Sequence, residues 1–184
     1  MTSCLSCGEE LPGEFPFCPF CGAPLTAEPS ARREERKVVT VVFADLVGFT
    51  ARAERLDPED VRALLSPYHE RLRAELERFG GTVEKFIGDA VMALFGAPVA
   101  HEDDPDRAAR AALAIRDWIE QESEDLSVRV GVNTGEALVA IDARASEGEA
   151  MAAGDVVNSA ARIQAGAPVN AIFVGSRPTG RRRT

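Results

Sequence analysis

Apolar and polar positions alternate along the chain in blocks that predict distinct elements. Residues 38–44, Val-Val-Thr-Val-Val-Phe-Ala, form a nearly continuous β-branched run that suits a buried strand ending at Asp45. Leu46-Val-Gly-Phe-Thr50 then turns the chain, with Thr50 placed to cap a short helix through Arg55. Asp57-Pro58 combines a capping residue with proline at the first helical position. Val61, Leu64, Leu65, Tyr68, Leu72, Leu76 and Phe79 follow at helical spacing; Pro67 is expected to bend this helix without ending it, and Gly80-Gly81 to stop it. Thr82–Ile87 and Ala90–Phe95 flank Gly88-Asp89 and predict a hairpin. Asp104-Pro105 opens another helix to about Gln121, with Ala108, Ala112, Ile115 and Ile119 on one side. Residues 127–141 read as a strand region interrupted at Gly131 and Gly135, and residues 142–153 as a loop. A helix is predicted over Asp155–Ala165 and a short last strand over Ala171–Val174. This order predicts an α+β sandwich, with helices on one face of a largely antiparallel sheet.

The amino-terminal stretch obeys a different logic. All four cysteines fall in the first 21 residues, as Cys4-x-x-Cys7 and Cys18-x-x-Cys21, each pair followed by glycine. In a reducing compartment, thiols at this spacing read as metal ligands. Four thiolates around one tetrahedral Zn²⁺ make a closed, structural site. So short a segment buries too little to fold unaided, and the metal supplies its folding energy. The expected organisation is a zinc ribbon over 1–25, a polar linker over 26–37 with a helical lead-in at 31–37, a main domain over 38–175, and a basic tail over 176–184.

Composition narrows the partners. A formal net charge of −9 argues against non-specific binding to nucleic acid or anionic membrane. Arg181-Arg182-Arg183 in the tail reads as solvated. No apolar run reaches the roughly 20 residues of a membrane span, and no secretory signal pattern opens the chain, so a cytoplasmic protein is expected. His69 and His101 read as surface positions, and Glu102-Asp103-Asp104 as a solvated helix start.

Asp45, at the end of a buried strand before a glycine-containing turn, suits a divalent cation, while the turn's N–H groups suit phosphate. A hairpin beside that strand would bring Asp89 close to Asp45, as a two-metal phosphoryl-transfer site requires. No Walker-type G-x-x-x-x-G-K-[ST] loop occurs. Four segments, Val-Val-Phe-Ala-Asp45-Leu-Val-Gly-Phe-Thr50, Val-Glu-Lys85-Phe-Ile-Gly-Asp89-Ala-Val-Met-Ala-Leu-Phe, Val-Arg-Val-Gly-Val-Asn-Thr-Gly and Gly-Asp155-Val-Val-Asn158-Ser-Ala-Ala-Arg162, resemble the successive motifs of the class III adenylyl/guanylyl cyclases, in family order.

The resemblance implies a ferredoxin-like cyclase sandwich that acts as a homodimer and converts ATP to cyclic AMP and pyrophosphate. Asp45 and Asp89 would hold two Mg²⁺ or Mn²⁺ ions per active site, and Gly48, Phe49 and Thr50 would lie against the substrate. Lys85 would read the purine, favouring ATP over GTP, because guanylyl members carry an acidic residue there. Asn158 would hold the ribose and Arg162 would stabilise charge on the α-phosphate; a helix puts these two on one face. In the family the metal pair of one protomer faces the lysine, asparagine and arginine of the other. Two departures stand out. Met151 occupies the position where adenylyl members place Asp, Thr or Ser, and a thioether makes no comparable hydrogen bond. After Gly175 the residues do not match the family's terminal sheet extension, so the domain is expected to be incomplete at its carboxy end. Two readings therefore stay open, a purine nucleotide cyclase and a catalytically impaired nucleotide-sensing or dimerisation module.

Overall fold

The computed structural model describes residues 2–4, 6–11, 13, 15, 17–23, 25, 33–49, 53–54, 56–122, 126–140 and 151–175. Thr50 and residues 51, 52 and 55 of the predicted short helix, the linker at 26–32, residues 142–150 of the predicted loop and the tail at 176–184 lie outside these residues. The end of the segment read as a loop over 142–153 is instead a short strand at Ala152–Ala153. The chain divides into two compact units, Met1–Arg33 and Glu34–Thr184.

In the first unit, β1 (Thr2–Ser3) pairs antiparallel with β2 (Glu10–Leu11). The cysteine turns lie around this small ribbon.

The second unit is built on β3 (Glu34–Val47), α1 (Pro58–Arg78), β4 (Thr82–Ile87), β5 (Ala90–Phe95), α2 (Asp104–Glu122), β6 (Ser127–Ala140), β7 (Ala152–Ala153), α3 (Asp155–Gly166) and β8 (Ile172–Val174). Its six-stranded sheet has the order β4-β5-β3-β6-β7, with β8 added parallel to β6. Every other pair among the described residues is antiparallel. The hairpin, the Asp57-Pro58 helix start and the continuation of α1 through Pro67 follow the sequence pattern, although the Asp57 side chain makes no capping hydrogen bond.

Three expectations about the strands and helices are corrected. First, β3 is twice as long as predicted: it starts at Glu34, inside the segment read as linker and helical lead-in, and continues through Asp45 to Val47. Its polar first residues need no apolar partner, because backbone pairing with Ala137–Ala140 of β6 suffices to extend the ladder. Second, β6 is unbroken at Gly131 and Gly135. Third, helices cover both faces. Alternation sends Val42, Ala44, Leu46, Val128, Val130 and Val132 to one side, with Leu65, Leu72 and Leu76 of α1 and Ile115 and Ile119 of α2. Val39, Val41, Ala137 and Val139 point to the other side, with Val156 and Ala160 of α3. In addition, Asp104 is buried rather than solvated, and its Oδ2 accepts the His101 backbone N–H at 2.7 Å.

The glycines of β6 explain how α3 reaches the sheet. A Cβ at position 131 would lie 2.5 Å from the Gln164 backbone nitrogen and 2.6 Å from the Ala160 carbonyl oxygen. These are main-chain atoms of a helix that cannot give way singly. Gly131 is thus required by close approach of backbones, and α3 carries Asn158 and Arg162. Gly131→Ala is expected to destabilise the second unit by about 1–3 kcal/mol, the usual range for overpacking. A thermal or urea melt of the variant against the parent chain checks this, and an unchanged midpoint would contradict it.

Candidate active site

Asp45 and Asp89 reach one another from separate elements. Asp45 stands near the end of β3, opposite Arg129 in the β3–β6 register. Asp89 sits at the tip of the β4–β5 hairpin, after Gly88, whose φ of +62° makes the turn that glycine tolerates best. β5 lies directly beside β3, which is how the tip arrives at Asp45. Both side chains are half-buried. Burial raises the Asp45 carboxyl above its ordinary range and the Asp89 charge raises it further, while Gln164 and Arg129 pull it back. Burial likewise raises Asp89, offset by its own backbone N–H and by His69. Two carboxylates that repel in a partly desolvated place are unfavourable unless a cation compensates them. Asp89 Oδ2 is also buried with no hydrogen-bond partner. The donor set, hard oxygens with one lone-pair site unclaimed, fits a divalent ion such as Mg²⁺ or Mn²⁺.

Supporting residues here were missed by sequence reasoning. Gln164 of α3 donates from Nε2 to Asp45 Oδ2 at 3.4 Å. His69, expected on the surface, donates from Nε2 to the Gly88 carbonyl at 2.9 Å and stacks on Phe86 with centroids 4.1 Å apart. It anchors the hairpin tip. The Tyr68 hydroxyl is buried without a partner, and burial followed by the charges of Asp89 and Asp45 pushes its pKa strongly up. Helical periodicity marked Tyr68 and its neighbours as core, but which of them meets the hairpin tip depends on tertiary packing.

The remaining predicted residues do not join this cluster. Gly48 has φ +81°, as the turn after β3 requires, whereas the Phe49 side chain is buried in the core with α1 and α2, so only its backbone is available to a ligand. Lys85 is exposed on β4. Asn158 and Arg162 are exposed on α3, and Arg162 contacts Ser159 at 3.1 Å and Asp155 at 3.7 Å. Gln164 lies two residues beyond Arg162, or about 200° around the helix. With Gln164 turned to Asp45, Arg162 faces away from it. Arg162, Ser159 and Asp155 line a groove of about 600 Å³ with Asn133, Thr134 and Gly135 of β6. Met151 is only 6% exposed and packs with Met92 and Leu94, so its side chain belongs to the second-face core instead of an open binding wall.

In the amino-terminal unit, all four cysteine sulfurs lie within 4.8 Å of one another. Cys4 and Cys21 sulfurs are 3.8 Å apart, and Cys7 and Cys18 sulfurs 3.7 Å. Four ligands at the zinc–thiolate bond length define a tetrahedron with edges of about 3.8 Å. Gly8 and Gly22, at φ +79° and +75°, donate to the Cys4 and Cys18 carbonyls at 2.8 Å and close the two turns. Backbone N–H groups of Cys7 and then Ser6 hold the Cys4 thiol down to about 7. The cluster fits a Zn²⁺ ion.

Comparison with known proteins agrees with this geometry. The family described as adenylate and guanylate cyclase catalytic domain matches residues 31–179, and a zinc-ribbon domain family matches residues 3–25. Adenylate cyclase 1 of Rhizobium meliloti (strain 1021) is 33% identical over 137 residues, covering 70% of this chain and 21% of that protein. The chain thus spans about a fifth of that relative's length. Among solved structures, the adenylyl cyclase CyaB from P. aeruginosa aligns with a TM-score of 0.66 at 30% identity, over 77% of this chain and 78% of that one. The guanylate cyclase domain of RhGC from Catenaria anguillulae, in complex with GTP, aligns with a TM-score of 0.68 at 28% identity, over 76% and 79%. With its sheet topology, its converging carboxylates and its family match all covering one segment, the chain belongs to the adenylate and guanylate cyclase catalytic-domain family and carries a zinc-ribbon domain before it.

Proposed function

We propose that the domain over residues 38–175 converts ATP to 3′,5′-cyclic AMP and pyrophosphate at sites shared by two copies of the chain. The observation that carries this reading is the division of the site residues. Asp45 and Asp89 converge on one surface, while Arg162 is turned about half a helical circumference away from Asp45. One chain therefore supplies two half-sites, and a symmetric dimer joins the metal half of each to the lysine, asparagine and arginine half of the other. Two Mg²⁺ or Mn²⁺ ions, when bound, lower the charge on the triphosphate and activate the ribose 3′-hydroxyl. Asp45 and Asp89 would hold them, with Gln164 and His69 fixing the carboxylates' places. The 3′-oxygen attacks the α-phosphorus, the bond to the bridging oxygen breaks, pyrophosphate leaves and the hydroxyl proton passes to water. Asn158 holds the ribose in line, and the Arg162 guanidinium meets the charge that builds on the α-phosphate. Lys85 favours adenine over guanine, and the adenylate cyclase of Rhizobium meliloti supports that choice.

A second reading is a nucleotide-sensing dimerisation module with little turnover. It is favoured by Met151, whose side chain is held in the core where adenylyl members use a hydrogen-bonding residue. No helix among the described residues is long and apolar enough to cross a membrane, and thiolate ligation of one structural Zn²⁺ fits a reducing cytoplasm.

Asp45→Ala and Arg162→Ala are each expected to abolish Mn²⁺-dependent cyclic AMP formation. Mixed in equal amounts, the two variants should recover about a quarter of the parental activity, because half the dimers are mixed and each holds one intact site. No recovery from a mixture that demonstrably exchanges subunits would rule out the shared site. ATP binding and dimer formation by the parent chain, without any cyclic AMP, would instead establish the second reading. For the ribbon, elemental analysis should find one zinc per chain, and Cys18→Ser should lose it and unfold the first 25 residues while the melt of the cyclase domain stays in place.

A further inference from the structure

Glu75, Glu84 and Asp104 are the buried acidic side chains among the described residues. Two of them serve their own helices. Glu75 meets Arg71 at 2.8 Å and Arg78 at 3.2 Å, and Asp104 accepts the His101 N–H. Glu84 is different, because what it touches belongs to the purine end of the site.

The register of β4 against β5 shifts between Val83 and Lys85, a bulge that makes Glu84 the extra residue. A bulge breaks the alternation of a strand and re-aims a side chain. Here Val83 and Glu84 are both 4% exposed, although consecutive residues of a regular strand face opposite ways. Lys85 swings outward, with half of its side chain exposed, and its Nζ stays 3.8 Å from Glu84 Oε1. The backbone N–H groups of Met151 and Ala152 lie near enough to the Glu84 carboxylate to favour its charged form. Those residues lie at β7, which ends the strand order opposite β4. The Met151 carbonyl accepts the Ala140 N–H at 2.8 Å. Burial pushes the Glu84 carboxyl up, and Lys85 followed by the two N–H groups pull it back. Glu84 Oε2 remains buried without a partner, so the group is desolvated for the sake of the contacts made by Oε1.

We propose that Glu84 is a positioning residue for purine recognition, fixing the Lys85 side chain and the Met151 strand in one arrangement. This rests on the reading that Lys85 meets the purine. Position 151 itself offers no carboxylate, its methionine side chain being committed to the core. Glu84 supplies one from beneath, orienting the Lys85 ammonium and holding the backbone of residues 151 and 152 against the hairpin.

The test uses the full chain with Glu84→Gln, Glu84→Asp and Glu84→Ala. Mn²⁺-dependent turnover and binding of fluorescent ATP and GTP are measured beside amide hydrogen exchange at residues 151–152. Glu84→Gln, close to isosteric, should keep the parental melt, raise KM and Kd for ATP about five- to tenfold, the size of losing a charge-assisted contact, and change kcat less than twofold. The ATP-to-GTP preference should narrow by a similar factor, with Glu84→Asp recovering part of it. Glu84→Ala should speed exchange at residues 151–152 by about tenfold while amides of α3 keep their protection. Unchanged nucleotide preference and exchange in a folded Glu84→Gln overturn the proposal, as does an equal loss toward ATP and GTP carried wholly by kcat. A parent chain that binds neither nucleotide overturns the purine reading and Glu84's role in it, while faster exchange in Glu84→Ala would still register the bridge itself.

Discussion

Antiparallel pairing of β3 with β6 runs unbroken from Glu34 opposite Ala140 to Val47 opposite Ser127, and the alternation along that ladder decides where later elements go. Even-numbered positions from Val42 to Leu46 receive α1 and α2, and odd-numbered ones from Val39 receive α3. Asp45 falls on the odd side, which is why α3, through Gln164, is the helix that touches it. The same ladder opposes Arg129 to Asp45. A one-residue slip would exchange the faces and put Asp45 under α1 and α2, so register and site are one constraint.

Charge is the second constraint. Asp45 and Asp89 are half-buried, the Asp89 charge adds to the cost of ionising Asp45, and a lone-pair site on Asp89 is left unclaimed. Neutral and cationic neighbours, Gln164, His69 and Arg129, offset this only in part. The pair therefore forms an acidic region that a cation would stabilise. Arg162 meets the opposite condition. It is exposed and only weakly paired with Asp155, so no strong internal bond holds its guanidinium.

Much of this was legible in the residues. Cys4-x-x-Cys7 and Cys18-x-x-Cys21 carry their zinc geometry in their spacing, because a turn that short can present its two sulfurs to one ion. The hairpin around Gly88-Asp89 and the helix from Pro58 were equally plain, since each is decided by contacts within a few residues. The start of β3, the continuity of β6 through Gly131 and the burial of Asp104 were not. Polar Glu34–Lys37 pair through backbone atoms that carry no sequence signal, and a glycine that breaks an isolated strand is required where a helix backbone must come close.

By itself the sequence determined most of the helices, the hairpin, the four-cysteine cluster of the ribbon and, through the ordered motifs, the family. Only the tertiary structure decided which face of the sheet each helix covers, that His69 and Gln164 support the carboxylates, that Met151 is core, and that a bulge turns Glu84 inward beneath Lys85. The reason is physical. Local pattern sets the period of each element, but the direction in which a given side chain points is chosen by long-range pairing, and chemistry such as that of Asp45 and Asp89 begins only where those directions meet.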